Sequence, residues 1–376
     1  MKKVVFIINV DWYFKLHWLE RAIFLKNNGY DISLITNFTS SEIKDNLIKL
    51  GITCYQCQIK RKSINPVSEL NTIFQIQKIL SIIDPDIIHA ITVKPNLYAG
   101  LNNIFLGKKI IYSITGLGAV FSSSRIRFKI IKNLVIYIYR LISNNKSIFI
   151  FENDSDFRIF KDEGVLIDNG VVIHGAGVDT EKYFYKKPNY NRNILFASRL
   201  LKDKGLDTLL DALEILKKKD IRCILNVAGI IDSDVTSAIP IKDLLELEKA
   251  NKIKWIGTEK DMVSLIHKND IVCLPTRYGE GIPRILIEAA SCGRAIIGTD
   301  VSGCNDIIDN NYNGFLVPIN NAKDLADKLI FLLENSNLLR EFGANGRCKV
   351  LRQFDQNIVL EKTISIYKRL IDINNE

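Results

Sequence analysis

Residues 275–299 read P-T-R-Y-G-E-G-I-P-R-I-L-I-E-A-A-S-C-G-R-A-I-I-G-T. The apolar run Ile271–Pro275 predicts a strand, and Pro283–Ser291 predicts a helix. Two carboxylates lie eight positions apart: Glu280 in the Gly-flanked loop and Glu288 inside the helix. A strand, a loop and a helix in this order are typical of a parallel α/β sheet, whose ligands bind at the carboxyl ends of the strands.

The same rhythm extends over most of the chain. The predicted strands are Val4–Val10, Asp31–Thr36, Ile87–Ala90, Ile110–Ile114, Ser147–Glu152, Asn193–Ala197, Cys223–Ala228, Ile253–Trp255, Ile271–Pro275, Ala295–Thr299 and Phe315–Val317. The predicted helices include Leu16–Asn27, Glu69–Ile83, Gly205–Lys217, Met262–His267 and Pro283–Ser291, and residues 322–373 are mostly helical. Because the rhythm stops and restarts near residues 175–192, it predicts two Rossmann-like, doubly wound parallel-sheet domains that face a cleft.

The predicted domains are residues 1–178 and 179–356, with a C-terminal helix over 357–376 that returns to the N-terminal domain. A chain of 376 residues that is 47% hydrophobic can bury two such cores. Its seven cysteines include one C-x-x-C, Cys54–Cys57, without a second pair, which favours reduced thiols over a zinc site. Asp11 interrupts the apolar start, so residues 4–10 predict a buried strand and not a signal peptide. No run reaches about 18 apolar residues, so no spanning helix is expected.

The net charge of +9 is concentrated in the first 180 residues, which hold 22 basic and 15 acidic residues. Such a field suits nucleic acid, anionic lipid or a pyrophosphate substrate. The alternative is solubility alone.

The loop around Glu280 is suited to an anion. Gly279 and Gly281 allow a ligand to approach the backbone closely, and the first-turn amides of the helix that Pro283 opens can bind phosphate. Glu288, about one and a half turns into that helix, is placed to accept hydrogen bonds from ribose hydroxyls. The alternative for Glu288 is an ordinary surface carboxylate.

A second loop follows the strand Asn193–Ala197 and reads S-R-L-L-K-D-K-G over residues 198–205. Arg199 and Lys204 are two cations at the start of the next helix, where a diphosphate would find two charges and the helix amides. The alternative is an ordinary basic loop.

Taken together, these motifs resemble a known family. The Glu-x7-Glu pair within G-E-G-I-P-R-I-L-I-E-A-A-S-C-G and the upstream residues 198–205 are similar to the family 4 retaining glycosyltransferases of the GT-B fold, as are residues 174–179 and 313–317. The resemblance covers the C-terminal half, while the N-terminal half matches in rhythm and in pieces.

The resemblance implies a nucleotide-sugar donor, UDP-linked, held by the C-terminal domain without a metal or a cofactor. Arg199 and Lys204 would bind the donor diphosphate, Glu288 the ribose, and Glu280 the donor sugar near the reacting carbon. The backbone of the segment that opens the helix would hold the leaving phosphate: Gly281, Ile282, Pro283, Arg284 and Ile285.

In the N-terminal half, Asp11 stands where many family members have a Gly-Gly loop. It is predicted either to meet the acceptor or to cap the following helix. Thr115 and Gly116 follow a predicted strand and are candidates for substrate binding, at a place where many family members have a histidine. The nearest histidine in this chain is His89, which is either a substrate ligand or a core residue. Asn153 ends the next strand and is a further candidate for substrate binding.

The segment Phe121–Lys146 combines basic and aromatic residues, which predicts either an anionic membrane surface or a core-facing helix with a basic edge. The leading hypothesis is a bacterial glycosyltransferase, peripheral on the cytoplasmic face of the cell membrane. It would transfer a hexose or N-acetylhexosamine to a lipid-linked glycan, on undecaprenyl diphosphate, in capsule, O-antigen or other surface polysaccharide synthesis.

Two other functions fit the sequence less well. One is a nucleotide-sugar epimerase of the same fold, and the other, of a different class, is a non-catalytic nucleic-acid binder. An oxidoreductase is disfavoured because no G-x-G-x-x-G follows the first strand.

Overall fold

The computed structural model describes residues 1–60, 65–118, 121, 126–231, 237–279 and 281–372, apart from the side chain of residue 127. Glu280 and residues 122–125 therefore lie outside the described residues. The chain divides into two compact units. The first comprises residues 1–176 together with the chain from Val359 onward, and the second comprises Gly177–Ile358.

The first unit is built on a seven-stranded parallel sheet. Its strands are β1 Lys2–Val10, β2 Tyr30–Asn37, β3 Thr53–Gln56, β4 Ile87–Ile91, β5 Lys109–Ile114, β6 Ser147–Phe151 and β7 Gly170–Val172, in the order β3-β2-β1-β4-β5-β6-β7. Its helices up to residue 162 are α1 Asp11–His17, α2 Leu19–Asn27, α3 Ser41–Lys49, α4 Pro66–Ile83, α5 Val93–Leu106, α6 Ile126–Ile142 and α7 Asp154–Asp162.

Alternating residues of β1 belong to two separate apolar cores. Val5 and Ile7 pack with α4, α5 and α6, whereas Phe6 packs with α1 and α2. Since successive strand residues point to opposite faces, both faces of the sheet are covered. This confirms the predicted doubly wound arrangement.

The prediction of one helix over Leu16–Asn27 was wrong at its start. The helical chain begins at Asp11 and breaks at Trp18, whose φ of −125° lies outside the helical range. Trp18 is buried, with its ring edge against His89, 5.0 Å between ring centroids. Packing of this large side chain therefore overrides a helical pattern that continues on both sides of it.

The second unit is built on a six-stranded parallel sheet. Its strands are β8 Asn193–Ala197, β9 Ile224–Ala228, β10 Lys254–Gly257, β11 Ile271–Leu274, β12 Ala295–Thr299 and β13 Gly314–Val317, in the order β10-β9-β8-β11-β12-β13. Its helices are α8 Leu206–Lys218, α9 Ile241–Lys249, α10 Met262–His267, α11 Arg284–Ser291, α12 Cys304–Ile307, α13 Ala322–Glu334 and α14 Ser336–Gln353, and a short 3₁₀ turn, Lys202–Lys204, precedes α8.

The last helix, α15, spans Gln356–Asp372. Its residues Ile364, Tyr367 and Leu370 belong to the same buried core as Phe6 and Trp18 of the first unit. Among the described residues, none of the helices combines the length and the apolar character that crossing a bilayer requires.

Candidate functional site

The two predicted loops leave from adjacent strands of the second sheet. β8 and β11 pair directly, with Ile194 beside Ile271, although 73 residues separate β8 from β11 in the chain. They are also the strands at which the strand order reverses, β10-β9-β8 on one side and β11-β12-β13 on the other. Open α/β sheets bind ligands at the carboxyl ends of the strands at this point of reversal.

The two loops pack tightly against each other. Gly205 has φ +80°, and a Cβ atom on it would lie 1.9 Å from the carbonyl oxygen of Pro275. The amide of Arg277 donates to the carbonyl of Asp203, 2.8 Å away. Only glycine satisfies both the backbone conformation and the contact at position 205, so this residue sets the distance between the loops.

The predicted diphosphate ligands lie in the first of these loops. Arg199 is half-buried in the segment that follows β8. Lys204 ends the 3₁₀ turn and is only 4% exposed, with its ammonium 5.0 Å from the ring centroid of Tyr278 in the other loop. The fold thus holds a lysine charge within the contact between the two loops.

Glu288 is not a surface carboxylate, because it is 6% exposed. Its Oε1 accepts from Arg284 Nε at 2.7 Å, one turn earlier on α11, and the buried Tyr183 phenol lies near enough for both charges to influence its pKa. Burial works against the charged form of Arg284, but Glu288 outweighs it and raises the pKa of the guanidinium. Burial, reinforced by Glu288, also raises the pKa of the Tyr183 phenol. A buried carboxylate held by an arginine of its own helix is a pre-oriented acceptor for ligand hydroxyls.

The helix that carries Glu288 begins and ends within one residue of the predicted bounds. Pro283 precedes the first residue of α11, and Gly293, with φ +76°, follows its end. Ile282 is buried, and a Cβ on Gly279 would come within 3.2 Å of Ser302 Cβ. The candidate catalytic residue Glu280 lies between these points but outside the described residues.

Asp11 has a different environment from either prediction. The residue is fully buried, and α1 shows no side-chain cap. Its carboxylate accepts from the amides of Trp12, Thr39 and Ser40 and from Thr39 Oγ1, at 2.8–3.1 Å. Asp11 therefore ties the end of β1 to the loop that precedes α3.

His89 is a core residue. It is fully buried in β4, with Nδ1 2.6 Å from the Tyr367 hydroxyl and Nε2 2.7 Å from Ser113 Oγ. Burial, together with the nearby charge of Arg21, holds the pKa of His89 well below its ordinary value. The ring is therefore neutral at physiological pH, and both nitrogens serve the fold, which corrects its assignment as a substrate ligand.

Three other predicted positions lie at the carboxyl edge of the first sheet. Thr115 and Gly116 are half-buried directly after β5. Asn153 is fully buried and caps α7, since its Oδ1 accepts from the amide of Asp156 at 2.8 Å. Asn153 thus has a structural role that the sequence prediction did not include.

Beside Asn153, Glu152 forms a buried charge cluster with Arg21. Burial raises the pKa of Glu152 to about 7, although Arg21 opposes this shift and Asp156 adds to it. Arg21 is 2% exposed, stacks on Trp18 and donates from Nη2 to the carbonyl of Gly175 at 2.7 Å. The cluster therefore fixes the last residues of the first unit before the chain enters the second.

The sequence did not identify the side chains of three residues in the second unit as part of the candidate site. Arg277 lies in the opening motif but carries no spacing signal of its own. The Arg284 side chain could have been paired with Glu288 from their i, i+4 spacing on one helix. Tyr183 is far from both in sequence, and only the fold brings it to Glu288.

Comparison with known proteins supports this architecture. Residues 3–153 match the family described as glycosyl transferase 4-like, and residues 178–349 match glycosyl transferases group 1. Over 347 residues the chain is 27% identical to the N,N'-diacetylbacillosaminyl-diphospho-undecaprenol alpha-1,3-N-acetylgalactosaminyltransferase of Campylobacter jejuni, covering 88% of this chain and 89% of that protein.

Two solved structures share the fold across nearly the whole chain. A glycosyltransferase from Rickettsia africae has a TM-score of 0.76 at 22% identity and covers 98% of both chains. Anabaena Alr3699/HepE, solved with UDP and glucose, has a TM-score of 0.78 at 16% identity and covers 98% of this chain and 100% of that one. The two halves of the chain thus belong to the glycosyl transferase 4-like and glycosyl transferases group 1 families, and the protein is a glycosyltransferase of the GT-B fold.

Proposed function

We propose that this glycosyltransferase moves a hexose or N-acetylhexosamine from a UDP-linked donor to a lipid-linked glycan, with retention at the anomeric carbon and without a metal. The observation that carries the proposal is the meeting of residues 198–205 with residues 275–278 at the carboxyl ends of β8 and β11. Arg199 and Lys204 lie in the first of these loops, and the second leads into α11, a combination that suits a diphosphate. The UDP in the Anabaena structure supports the choice of nucleotide.

In this proposal catalysis is electrostatic. Arg199 and Lys204 stabilise the charge that develops on the leaving diphosphate, and the backbone from Gly281 to Ile285 supplies further donors. Lys204 is suited to this role because its side chain is almost wholly removed from water. A buried charge is screened less than one in water. Glu288 accepts the ribose hydroxyls, and Glu280 contacts the donor sugar.

Support for a lipid-linked acceptor comes from the Campylobacter relative, whose name specifies a diphospho-undecaprenol substrate. We propose the same class of acceptor here, on undecaprenyl diphosphate, in the synthesis of a bacterial surface polysaccharide. Its lipid would hold the reaction at the cytoplasmic face of the cell membrane.

The first unit carries a surface suited to such a membrane. We define the apolar stripe as five residues of α6 that are 56–76% exposed and recur every three or four positions: Ile126, Ile130, Leu134, Tyr137 and Leu141. α5 packs beside α6, and α4 packs beside α5; these two helices add exposed apolar residues: Val67, Leu70, Phe74, Ile82, Ile104 and Phe105.

The charges around the apolar stripe are mainly basic. Lys129 is exposed on α6, while Lys132 and Arg140 share one counter-ion, Glu163, at 2.9 and 3.4 Å. An exposed apolar helix face with basic neighbours binds the interface of an anionic bilayer. We therefore propose that the first unit rests on anionic lipid through the stripe.

The donor site is tested with an Arg199→Ala/Lys204→Ala variant. Loss of two charges from the leaving-group site should lower turnover by about 100-fold or more, while thermal unfolding stays near that of the wild type. The matched control, Arg222→Ala/Lys242→Ala, removes two exposed charges from the same unit. Near-normal turnover of the folded Arg199→Ala/Lys204→Ala variant would contradict the diphosphate assignment, and an epimerised donor formed without acceptor would point to an epimerase.

The lipid surface is tested by sedimentation with phosphatidylglycerol vesicles. Ile130→Asp/Leu134→Asp should weaken binding by about tenfold or more, because two apolar side chains leave the interface. Ile241→Asp/Leu245→Asp is the matched control, with two exposed apolar residues one turn apart on α9. Equal binding of both variants would refute this surface.

A further inference from the structure

The side chain of Arg277 adds further contacts between the two loops of the proposed donor site, beyond the bond from its backbone amide to Asp203. Its Nε donates to Asn320 Oδ1 at 2.6 Å, and Nη1 to the carbonyl of Lys202 at 3.3 Å. Nη2 donates to Asp207 Oδ2 at 2.5 Å and lies 3.4 Å from Thr208 Oγ1. One guanidinium therefore connects the loop after β11 with the 3₁₀ turn, the first turn of α8 and the segment after β13.

The location of these partners matters for Lys204. The 3₁₀ turn that Arg277 contacts at Lys202 and Asp203 ends at Lys204. The next residue, Gly205, is held against Pro275, two positions before Arg277. The backbone that carries Lys204 is therefore held on both sides, and Arg277 provides the contacts on the side of the turn.

The charge of Arg277 is already matched. Asp207 forms an ion pair with it, and its Nε and Nη1 donate to oxygen atoms of Asn320 and Lys202. A planar guanidinium can serve three segments at once, whereas a lysine ammonium cannot reproduce this fork. The geometry fits a residue that orients other groups.

We propose that Arg277 is a positioning residue for the donor diphosphate, acting by fixing the turn that carries Lys204. The inference rests on the proposed role of Lys204 in donor binding. Arg277 would add no direct contact with the donor, so its contribution should disappear once the Lys204 ammonium is removed.

A double-mutant cycle on UDP affinity tests this, with binding measured by isothermal titration calorimetry on the full chain. Arg277→Ala should raise the Kd for UDP about tenfold, since the loss of its charged hydrogen bonds frees the turn. In a Lys204→Ala background the same substitution should change the Kd less than about twofold. Arg277→Lys should lie between Arg277→Ala and the wild type, and Arg340→Ala, at an exposed arginine of the same unit, should have no effect.

The outcomes separate the two proposals. If Lys204→Ala leaves the Kd for UDP unchanged, the donor role of Lys204 fails, and the positioning role fails with it. If Lys204→Ala weakens binding but Arg277→Ala adds its full effect on top, the donor site stands and the positioning proposal is overturned. A merely structural role would lower the fraction of molecules that bind while leaving the Kd of that fraction unchanged, which would also overturn it.

Discussion

Replacing Gly205 with alanine tests the packing between the two loops of the proposed donor site. At φ +80° an alanine is strained by about 1–2 kcal/mol, as L-residues are in left-handed backbone. Its Cβ would also lie 1.9 Å from the Pro275 carbonyl oxygen, so the loops must separate by roughly 1.5 Å to reach ordinary contact. Overpacking of this kind costs about 1–3 kcal/mol. The expected destabilisation is therefore about 2–5 kcal/mol.

The chain contains a matched control for the strain. Gly257, at the end of β10 in the same unit, has φ +77°, and a Cβ there would meet no atom within 4 Å. Gly257→Ala should therefore cost only the strain of about 1–2 kcal/mol. The difference between the two variants isolates the contact with Pro275.

The assay is urea unfolding followed by pulsed hydrogen exchange and mass spectrometry, which reports each unit separately. Gly205→Ala should destabilise the second unit more than Gly257→Ala does and should also weaken UDP binding, whereas the first unit should be unchanged. Equal destabilisation by the two substitutions, or undiminished UDP affinity in Gly205→Ala, would refute the idea that this contact sets the donor site.

Three further predictions concern buried polar groups. Glu288→Ala leaves Arg284 without its carboxylate and should destabilise the second unit by about 3 kcal/mol. In calorimetry it should also weaken UDP binding more than Tyr183→Phe does. The reverse order of UDP affinities would contradict the assignment of Glu288 to the ribose. His89→Phe leaves the hydroxyls of Ser113 and Tyr367 without a partner and should lower the free energy of unfolding by about 2–4 kcal/mol. Turnover per folded molecule should stay normal. A loss of turnover without a matching loss of stability would restore a catalytic role for His89. Glu152 is protonated in the folded state up to its pKa of about 7, while in the unfolded chain it ionises from its ordinary value of 4.5. Its contribution to stability is thus fully present below pH 4.5 and is lost as the pH rises to about 7, by about 3 kcal/mol in all. Glu152→Gln should therefore gain stability relative to the wild type between pH 5 and pH 8 in urea unfolding, and a constant difference would show that Glu152 is not buried in its neutral form.

The strands that position the proposed donor site were predictable because their signal is local. Asn193–Ala197 was predicted with the bounds that the structure shows, and Ile271–Pro275 was one residue too long. Apolar runs bounded by turn residues identify buried parallel strands, and motif positions then follow from the strand ends. The two donor loops could therefore be placed at one sheet edge from sequence alone.

The side-chain partners could not be predicted in the same way. His89 meets Tyr367 across 278 positions of the chain, and Arg277 reaches Asp207 across 70. Such contacts have no period or spacing, and they exist only after the strands are ordered. The break at Trp18 has the same origin, because burial of one side chain in the assembled core overrides a local helical pattern.

The central claim is that the donor diphosphate binds between the loops after β8 and β11. Hydrogen exchange of the full chain with and without UDP, followed by mass spectrometry, tests it most directly. UDP should slow exchange in peptides covering residues 198–205 and 281–290 and leave the sheet of the first unit unchanged, and Arg199→Ala/Lys204→Ala should abolish this protection. UDP binding that leaves both peptides unprotected, or that protects only the first unit, would contradict the account.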